Sequence, residues 1–139
     1  MLENQTITAI VPAYNEEPRL SQVLKVLKNV QFIDDVLVID DGSRDGTAQV
    51  PSSMAVDVLR HNKNKGKGAA LVSGIRNKSE SDVYLFLDAD LIHLNEKHLY
   101  ELVKPIIKDS SIVMTIGVFK GGRGSTDLAQ KVCPILNGQ

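Results

Sequence analysis

Residues 36–43 are Val-Leu-Val-Ile-Asp-Asp-Gly-Ser, and they give the clearest indication of the fold class. Its four apolar residues follow one another without polar alternation, which is typical of a strand in a parallel sheet covered on both faces. The Asp-Asp-Gly-Ser sequence then predicts a turn, so the strand ends in the acidic pair Asp40 and Asp41. Asp40 and Asp41 leave two uses open: one carboxylate caps the turn, and the other accepts hydrogen bonds from a ligand.

The pattern of a strand followed by a helix recurs on both sides of this stretch. We predict strands at 7–11, stopping at Pro12, and at 36–39, 56–59, 83–87 and 112–118. We predict helices after residues 15–18, briefly around 46–50, at 66–77, and from Asn95 to a kink or end at Pro105. The alternation predicts an α/β fold, a three-layer α/β/α sandwich with a mostly parallel sheet.

Beyond residue 119 the alternation stops. Residues 121–125 predict a loop, and residues 126–132 could form only a short helix. We therefore expect a single domain over residues 1–139, with an α/β core at 1–118 and a loop and short tail at 119–139.

Composition limits the classes of function. The chain has 139 residues, 42% of them hydrophobic, and a net charge of -1. Near-balanced charge argues against nucleic acid as the main partner, because phosphate binding needs an excess of basic residues. The apolar runs are far too short for a transmembrane segment, and no secretory signal precedes the first strand. With Cys133 as the single cysteine, we expect a cytoplasmic protein without disulfides.

Polar residues follow four of the predicted strands. Ligands of open parallel sheets bind beyond the carboxyl ends of the strands, so these clusters should share one edge. Asp88 and Asp90 follow the strand at 83–87, and Ala89 between them has little bulk to block a ligand. Two carboxylates in this position suit Mg2+ or Mn2+, which share their coordination with water and phosphate oxygens.

A basic loop joins the third strand to its helix. It runs from Arg60 through His61 to Lys67, and a lysine at a helix N-terminus suits a diphosphate. The glycine pattern is incomplete as a dinucleotide fingerprint, because Leu71 stands where glycine is expected. Of the three histidines, only His61 lies in this basic loop, and it is the only one that we single out, without assigning it to the site.

Four motifs in order carry a family resemblance. They are Ile-Val-Pro-Ala-Tyr-Asn-Glu-Glu (10–17), Val-Leu-Val-Ile-Asp-Asp-Gly-Ser-Arg-Asp-Gly-Thr (36–47), Asn-Lys-Gly-Lys-Gly-Ala-Ala-Leu (64–71) and Phe-Leu-Asp-Ala-Asp-Leu (86–91). The chain resembles family 2 glycosyltransferases of the GT-A fold. Within that family it is similar to bacterial relatives of polyprenyl-phosphate mannose and glucose synthases and of glucosyl-phosphoglycerate synthases.

The resemblance implies a role for each matching residue in binding a nucleotide-diphospho-sugar donor. Asp41, with Asp40 beside it, would recognise the nucleobase, and Lys67 would contact the nucleotide or its diphosphate. Asp88 and Asp90 would hold the Mg2+ or Mn2+ ion that bridges the diphosphate, with Asp90 the direct ligand. The residues that would line the base and ribose pocket are Pro12, Ala13, Tyr14 and Glu16.

Family members continue well beyond this length, into a half that holds the acceptor site. We therefore expect a truncated chain with weak or absent transfer, an acceptor such as a lipid phosphate or small phosphorylated acid, and a homo-oligomer. No catalytic residue is assigned.

Two functions remain as alternatives to a glycosyltransferase. The first is a catalytically incomplete fragment that binds a nucleotide. A phosphoacceptor receiver domain is the other, with Asp40, Asp41, Asp88, Thr115 and Lys120 as its residues, although its acidic pair should follow the first strand.

Overall fold

The computed structural model describes the backbone of residues 4–120 and 127–133 and the side chains of residues 4–117. The chain divides into two compact units, Met1–Leu91 and Ile92–Gln139. The first unit contains β1 (Ile7–Ala13), α1 (Glu17–Asn29), β2 (Asp35–Asp40), α2 (Gln49–Ser53), β3 (Asp57–Arg60), α3 (Lys67–Asn77) and β4 (Val83–Phe86). The second contains α4 (Glu96–Lys108), β5 (Met114–Lys120) and β6 (Asp127–Cys133). The single domain expected over residues 1–139 stays a prediction.

The first unit is built on a four-stranded sheet in the order β3-β2-β1-β4. All three pairings are parallel, which confirms the mostly parallel sheet predicted from the apolar strands. The chain runs outward from β1 through β2 to β3 and then returns to the other side of β1 to form β4. The order therefore reverses between β1 and β4, and open α/β sheets bind ligands at such a switch point.

Helices cover both faces of this sheet because parallel crossovers are right-handed. That rule places α1 and α2 on one face and α3 on the other, since the return to β4 runs in the opposite direction. The helix α3 packs on β1 and β2, where Ile10, Leu37, Ile39 and Ala70 form a buried cluster. The helix α1 buries the apolar stripe expected from its spacing, namely Leu20, Val23, Leu24 and Leu27.

The first strand is longer than predicted. We expected it to stop at Pro12, but β1 continues to Ala13, with Pro12 paired to Ile39. Ile10 accepts a hydrogen bond from Leu87 on the β4 side, and alternation turns the Pro12 nitrogen to that same side. The β1–β4 pairing has already ended there, so the missing N–H of Pro12 costs the sheet no hydrogen bond.

The other helix and strand boundaries in the first unit are close to the predictions, with one exception. The brief helix expected around residues 46–50 begins later, at Gln49, and ends at Ser53. Gly46 and Thr47 instead belong to the turn before it, where Gly46 N–H donates to Glu17 Oε2 at 2.9 Å.

The second unit departs from the predictions at its end. The strand expected at 112–118 as part of the parallel sheet begins at Met114, and β5 pairs with β6 in a separate antiparallel sheet. Residues 127–133 form the strand β6, so the short helix predicted for 126–132 is wrong. The loop predicted at 121–125 lies outside the described residues.

The helix of the second unit begins as predicted. Asn95 caps α4, its Oδ1 accepting the His98 N–H at 3.0 Å. The helix does not end at Pro105 but continues to Lys108. In the described part of the chain, no helix has both the length and the apolar character needed to cross a membrane.

Candidate functional site

A cavity of about 390 Å³ lies at the carboxyl ends of the parallel strands. This volume is within the range of small-molecule sites, roughly 300–1,000 Å³. It is lined by Pro12, Ala13, Tyr14, Glu16, Asp41, Asn64, Gly66, Lys67, Ala70, Asp88, Ala89 and Asp90. The cavity thus brings together every residue proposed from the sequence for the nucleotide-sugar site except Asp40.

Asp40 lies beneath the cavity rather than on its wall. Its side chain is fully buried, and Oδ1 accepts the Ser43 N–H at 3.0 Å. Its Oδ2 accepts no hydrogen bond, and the nearest cation is Arg60, with Nε at 3.3 Å. Asp40 is therefore the member of the acidic pair that caps the turn.

Asp41 lines the cavity and anchors the loop that follows β3. Its Oδ1 accepts the Lys65 N–H at 2.9 Å, and its Oδ2 accepts the Gly66 N–H at 2.9 Å. Burial by itself raises the pKa of Asp41. The hydrogen bonds from His61, Lys65 and Gly66 outweigh that effect and hold the pKa below its ordinary value. Asp41 is therefore an ionised carboxylate that only accepts hydrogen bonds.

His61 is buried and connects Asp41 to the helix α3. Its Nδ1 lies 2.7 Å from Asp41 Oδ1, and its Nε2 lies 2.8 Å from Ser73 Oγ. Both ring nitrogens have a partner, so the orientation of the imidazole is fixed. The sequence placed His61 in the basic loop after the third strand, and no pattern indicated that Ser73 would be its partner.

The loops around the cavity are held to one another by further contacts. Asn15 N–H donates to Ser43 Oγ at 2.9 Å, and Arg44 N–H donates to Asn15 Oδ1 at 2.9 Å. Gly42 has φ +75°, and a Cβ there would clash with the backbone where Lys63 joins Asn64. Only glycine allows the turn after β2 to approach the loop after β3 this closely. These contacts give the cavity a pre-formed wall.

Asp88 and Asp90 both line the cavity. Asp88 forms an ion pair with Lys67, and the side chains of Lys67 and Asp88 are 62% and 47% exposed. Ala89 between the two carboxylates is buried, and Asp90 lies on the surface of a turn. Lys67 and Asp88 are therefore within reach of each other and of any ligand in the cavity.

The carboxylates of Asp88 and Asp90 fit a divalent cation of the Mg2+ type. No described group of three His, Cys, Asp or Glu side chains could hold a metal by itself. Mg2+ does not require such a group, because it keeps several waters and takes one or two carboxylates together with phosphate oxygens. The donor set thus fits a metal that arrives with a phosphorylated ligand.

Some residues of the cavity were not proposed from the sequence. Asn64, Gly66 and Ala70 line its wall, although residues 64–71 already stood out as a motif. Arg19 forms an ion pair with Glu16, with Nε 2.6 Å from Oε2. The hydrogen bond to Glu16 and the negative charge of Glu16 raise the pKa of Arg19, and the charge of Asp90 adds a smaller effect. Arg19 lies in the first turn of α1, outside the lining of the cavity, and its position in the sequence indicated no role.

Comparison with known proteins identifies relatives of this chain. The family described as Glycosyl transferase family 2 matches residues 8–137. The UDP-N-acetylglucosamine--dolichyl-phosphate N-acetylglucosaminyltransferase of Methanococcus voltae is 29% identical over an alignment of 128 positions, and the match covers 78% of this chain and 50% of that protein. The dolichol-phosphate mannosyltransferase of Pyrococcus furiosus is 32% identical, over 84% of this chain and 34% of that protein. The chain thus spans half or less of the length of these relatives.

Solved structures of similar fold include glucosyl-3-phosphoglycerate synthase from Mycobacterium tuberculosis. Its complex with Mn2+, uridine diphosphate and phosphoglyceric acid matches with a TM-score of 0.76 and 26% identity. The match covers 86% of this chain and 45% of that one. These comparisons confirm the predicted resemblance and the GT-A type of α/β fold, and they leave no support for a receiver domain.

Proposed function

We propose that this chain, which belongs to glycosyl transferase family 2, binds a nucleotide-diphospho-sugar and serves in transfer of its sugar to an acceptor. One observation carries the proposal. A single cavity at the β1–β4 switch point is lined by residues of all four motifs that mark the family. Four polar clusters separated by up to about seventy residues converge there because parallel strands end at the same edge.

Asp41 supports recognition of a nucleobase at one end of the cavity. Its carboxylate is ionised and already accepts from two backbone N–H groups, so it can only accept a further hydrogen bond. Uracil and guanine present a ring N–H at the Watson–Crick edge, whereas the ring nitrogen of cytosine and adenine there is an acceptor and only the amino group donates. We therefore propose UDP- or GDP-sugars as donors, with Pro12, Ala13, Tyr14 and Glu16 beside the base and ribose.

Lys67, Asp88 and Asp90 support binding of the diphosphate. Lys67 begins α3 and is paired with Asp88, and both side chains are exposed enough to change partners. A diphosphate would take the Lys67 ammonium and free Asp88. Asp88 and Asp90 would then hold Mg2+ or Mn2+, which supplies Lewis-acid stabilisation of the negative charge on the departing diphosphate.

The acceptor classes come from the relatives. Two of them are dolichyl- or dolichol-phosphate transferases, and the solved structure is a glucosyl-3-phosphoglycerate synthase. We propose a lipid phosphate or a small phosphorylated acid as the acceptor of the transferase to which this chain corresponds. The alternative is a chain that binds the donor nucleotide without transferring the sugar.

A transfer assay separates these two functions. Radiolabelled UDP- and GDP-sugars are incubated with Mn2+ and either a polyprenyl phosphate or phosphoglycerate, and the labelled product is counted. Transfer that is lost in the Asp88→Asn/Asp90→Asn double variant would support the transferase. Tight nucleotide binding with no product from any donor–acceptor pair would favour the binding function.

A further inference from the structure

We infer that His61 and Ser73 are positioning residues for the nucleotide site, which they serve by fixing the Asp41 carboxylate and the loop that it anchors. Neither residue lines the cavity, and the inference rests on the proposed function. It starts from a continuous chain of contacts that runs from α3 through the imidazole and the carboxylate to the backbone of the loop.

The first part of this chain is buried. The side chains of His61 and Asp41 are only 6% and 5% exposed, and Nδ1 lies 2.7 Å from Oδ1. Because the Asp41 carboxylate is ionised, it can only accept hydrogen bonds. The Nδ1 atom of His61 therefore carries a hydrogen and donates a hydrogen bond to Asp41 Oδ1. On the other side of the ring, Nε2 is hydrogen-bonded to Ser73 Oγ at 2.8 Å, so α3 holds the far nitrogen of the imidazole.

The second part of the chain reaches the wall of the cavity. The Asp41 carboxylate accepts the N–H groups of Lys65 and Gly66, both at 2.9 Å. Gly66, at φ +94°, is the residue before the first turn of α3, and Lys67 follows it. A rotation of the carboxylate would therefore release the loop at the point where the proposed diphosphate ligand Lys67 is placed.

Geometry distinguishes this role from simple filling of space. A carboxylate held by two backbone N–H groups can still tilt, and the imidazole removes that freedom because Ser73 holds its far nitrogen. Partners of this outer kind commonly orient the groups that touch a ligand, and their loss reduces affinity by about 10–100-fold in metal sites. An apolar side chain of similar volume at position 61 would fill the space without orienting Asp41.

Three variants separate the steps. His61→Leu removes both hydrogen bonds, whereas His61→Asn retains an N–H that can reach Asp41 and loses the bond to Ser73. Ser73→Ala removes the far bond alone. Lys78→Met is the control for a general loss of stability, because Lys78 pairs with Asp35 and Asp57 near the opposite ends of β2 and β3.

The first measurement needs no ligand. Residue-resolved amide hydrogen exchange compares the Lys65 and Gly66 N–H groups with the Gly46 N–H, which is held by Glu17 instead. We expect His61→Leu to accelerate exchange at Lys65 and Gly66 by about tenfold or more relative to Gly46, with Ser73→Ala and His61→Asn in between. Lys78→Met should not change this ratio. An unchanged ratio in His61→Leu would overturn the inference.

The second measurement is the affinity for UDP with Mn2+ by titration calorimetry. We expect a loss of about tenfold or more in His61→Leu, partial rescue in His61→Asn, and no change in Lys78→Met. If His61→Leu binds UDP as tightly as the wild-type chain, the positioning role fails and the proposed function stands. If the wild-type chain binds no nucleoside diphosphate, the proposed function fails, and His61 and Ser73 then position no nucleotide site.

Discussion

Two adjacent aspartates of this chain have opposite tasks because a strand turns successive side chains to opposite sides. Asp40 is fully buried and caps the turn that follows β2. Asp41 reaches the cavity, where it anchors the loop after β3 and keeps acceptor capacity for a ligand. The chemistry of the two residues is the same, and only their position relative to the end of the strand separates the carboxylate that caps the turn from the one that lines the cavity.

Replacing Asp41 by asparagine tests its anchoring role through stability. Asn keeps the shape but loses an acceptor for the buried N–H groups of Lys65 and Gly66, so the free energy of unfolding should fall by about 1–3 kcal/mol at pH 7. Urea denaturation measures this change. The exposed Glu80→Gln variant is the matched control, and an Asp41→Asn chain as stable as wild type would contradict the role.

The pH dependence of that difference follows from the lowered pKa of Asp41. The ordinary value is 3.8, and the folded value lies below it. A depressed carboxyl pKa contributes stability that is fully present above the unfolded pKa and is lost as the pH falls through the folded pKa. The stability advantage of the wild-type chain over Asp41→Asn should therefore be present at neutral pH and shrink in acid, as the pH falls below the ordinary value and through the folded pKa of Asp41. An advantage that grows in acid would contradict the ionised carboxylate.

Among the individual site residues, those close to strand ends could be predicted from the sequence. Asp88, Asp90 and Asp41 could be placed at one edge because each lies within three residues of the end of an apolar strand. The contact between His61 and Ser73 could not be predicted, since it joins a loop to the second turn of a helix twelve residues later. Such a contact depends on how α3 lies on the sheet, which no local pattern specifies.

Among the secondary-structure elements, α3 packs closely on β1, and it carries Lys67 and Ala70 in the lining of the cavity. Gly74 is buried, and a Cβ at this position would lie 2.7 Å from Ile10 Cγ2. The helix can approach the strand this closely only without that carbon atom. Because α3 carries both Lys67 at its start and Ser73 in its middle, the distance between helix and strand also sets the geometry of the cavity.

A pair of glycine substitutions on this helix tests the packing. Gly74→Ala should destabilise the fold by about 1–3 kcal/mol, because the added methyl group overpacks a filled core. Gly68→Ala, on the same helix with open space around the new atom, should be neutral or stabilising by up to about 1 kcal/mol. Thermal unfolding of both variants checks the contrast, and equal effects would show that the close approach does not matter.

The strands and helices of the first unit were predictable because their hydrophobic patterns match the burial that each has in the fold. Continuous apolar strands and the stripe of α1 have one stable arrangement, a sheet between helices. The strand β6 was missed because residues 127–133, Asp-Leu-Ala-Gln-Lys-Val-Cys, contain good helix formers and only partial alternation. Pairing with β5 decides their structure, and that pairing is a tertiary contact that outweighs a weak local preference.

For the whole molecule, self-association remains a prediction. In the second unit, Val113, Met114 and Ile116 are 54%, 47% and 46% exposed. Apolar surface of this kind commonly marks an interface. Light scattering at micromolar concentration should show a species larger than 15.2 kDa, reduced by Ile116→Lys but not by Val72→Lys, whose site on α3 is equally exposed. A monomer at all concentrations would contradict the prediction.

The proposed function requires the cavity at the β1–β4 switch point to bind a nucleoside diphosphate together with a divalent cation. Thermal unfolding with UDP, GDP, ADP or CDP, each with and without Mn2+, tests it most directly. We predict stabilisation by UDP or GDP only when Mn2+ is present, of about 2.7 kcal/mol at one hundred times the dissociation constant. Asp90→Asn should lose most of this stabilisation. Equal stabilisation of Asp90→Asn, or none of the wild-type chain by any of the four nucleotides, would contradict the account.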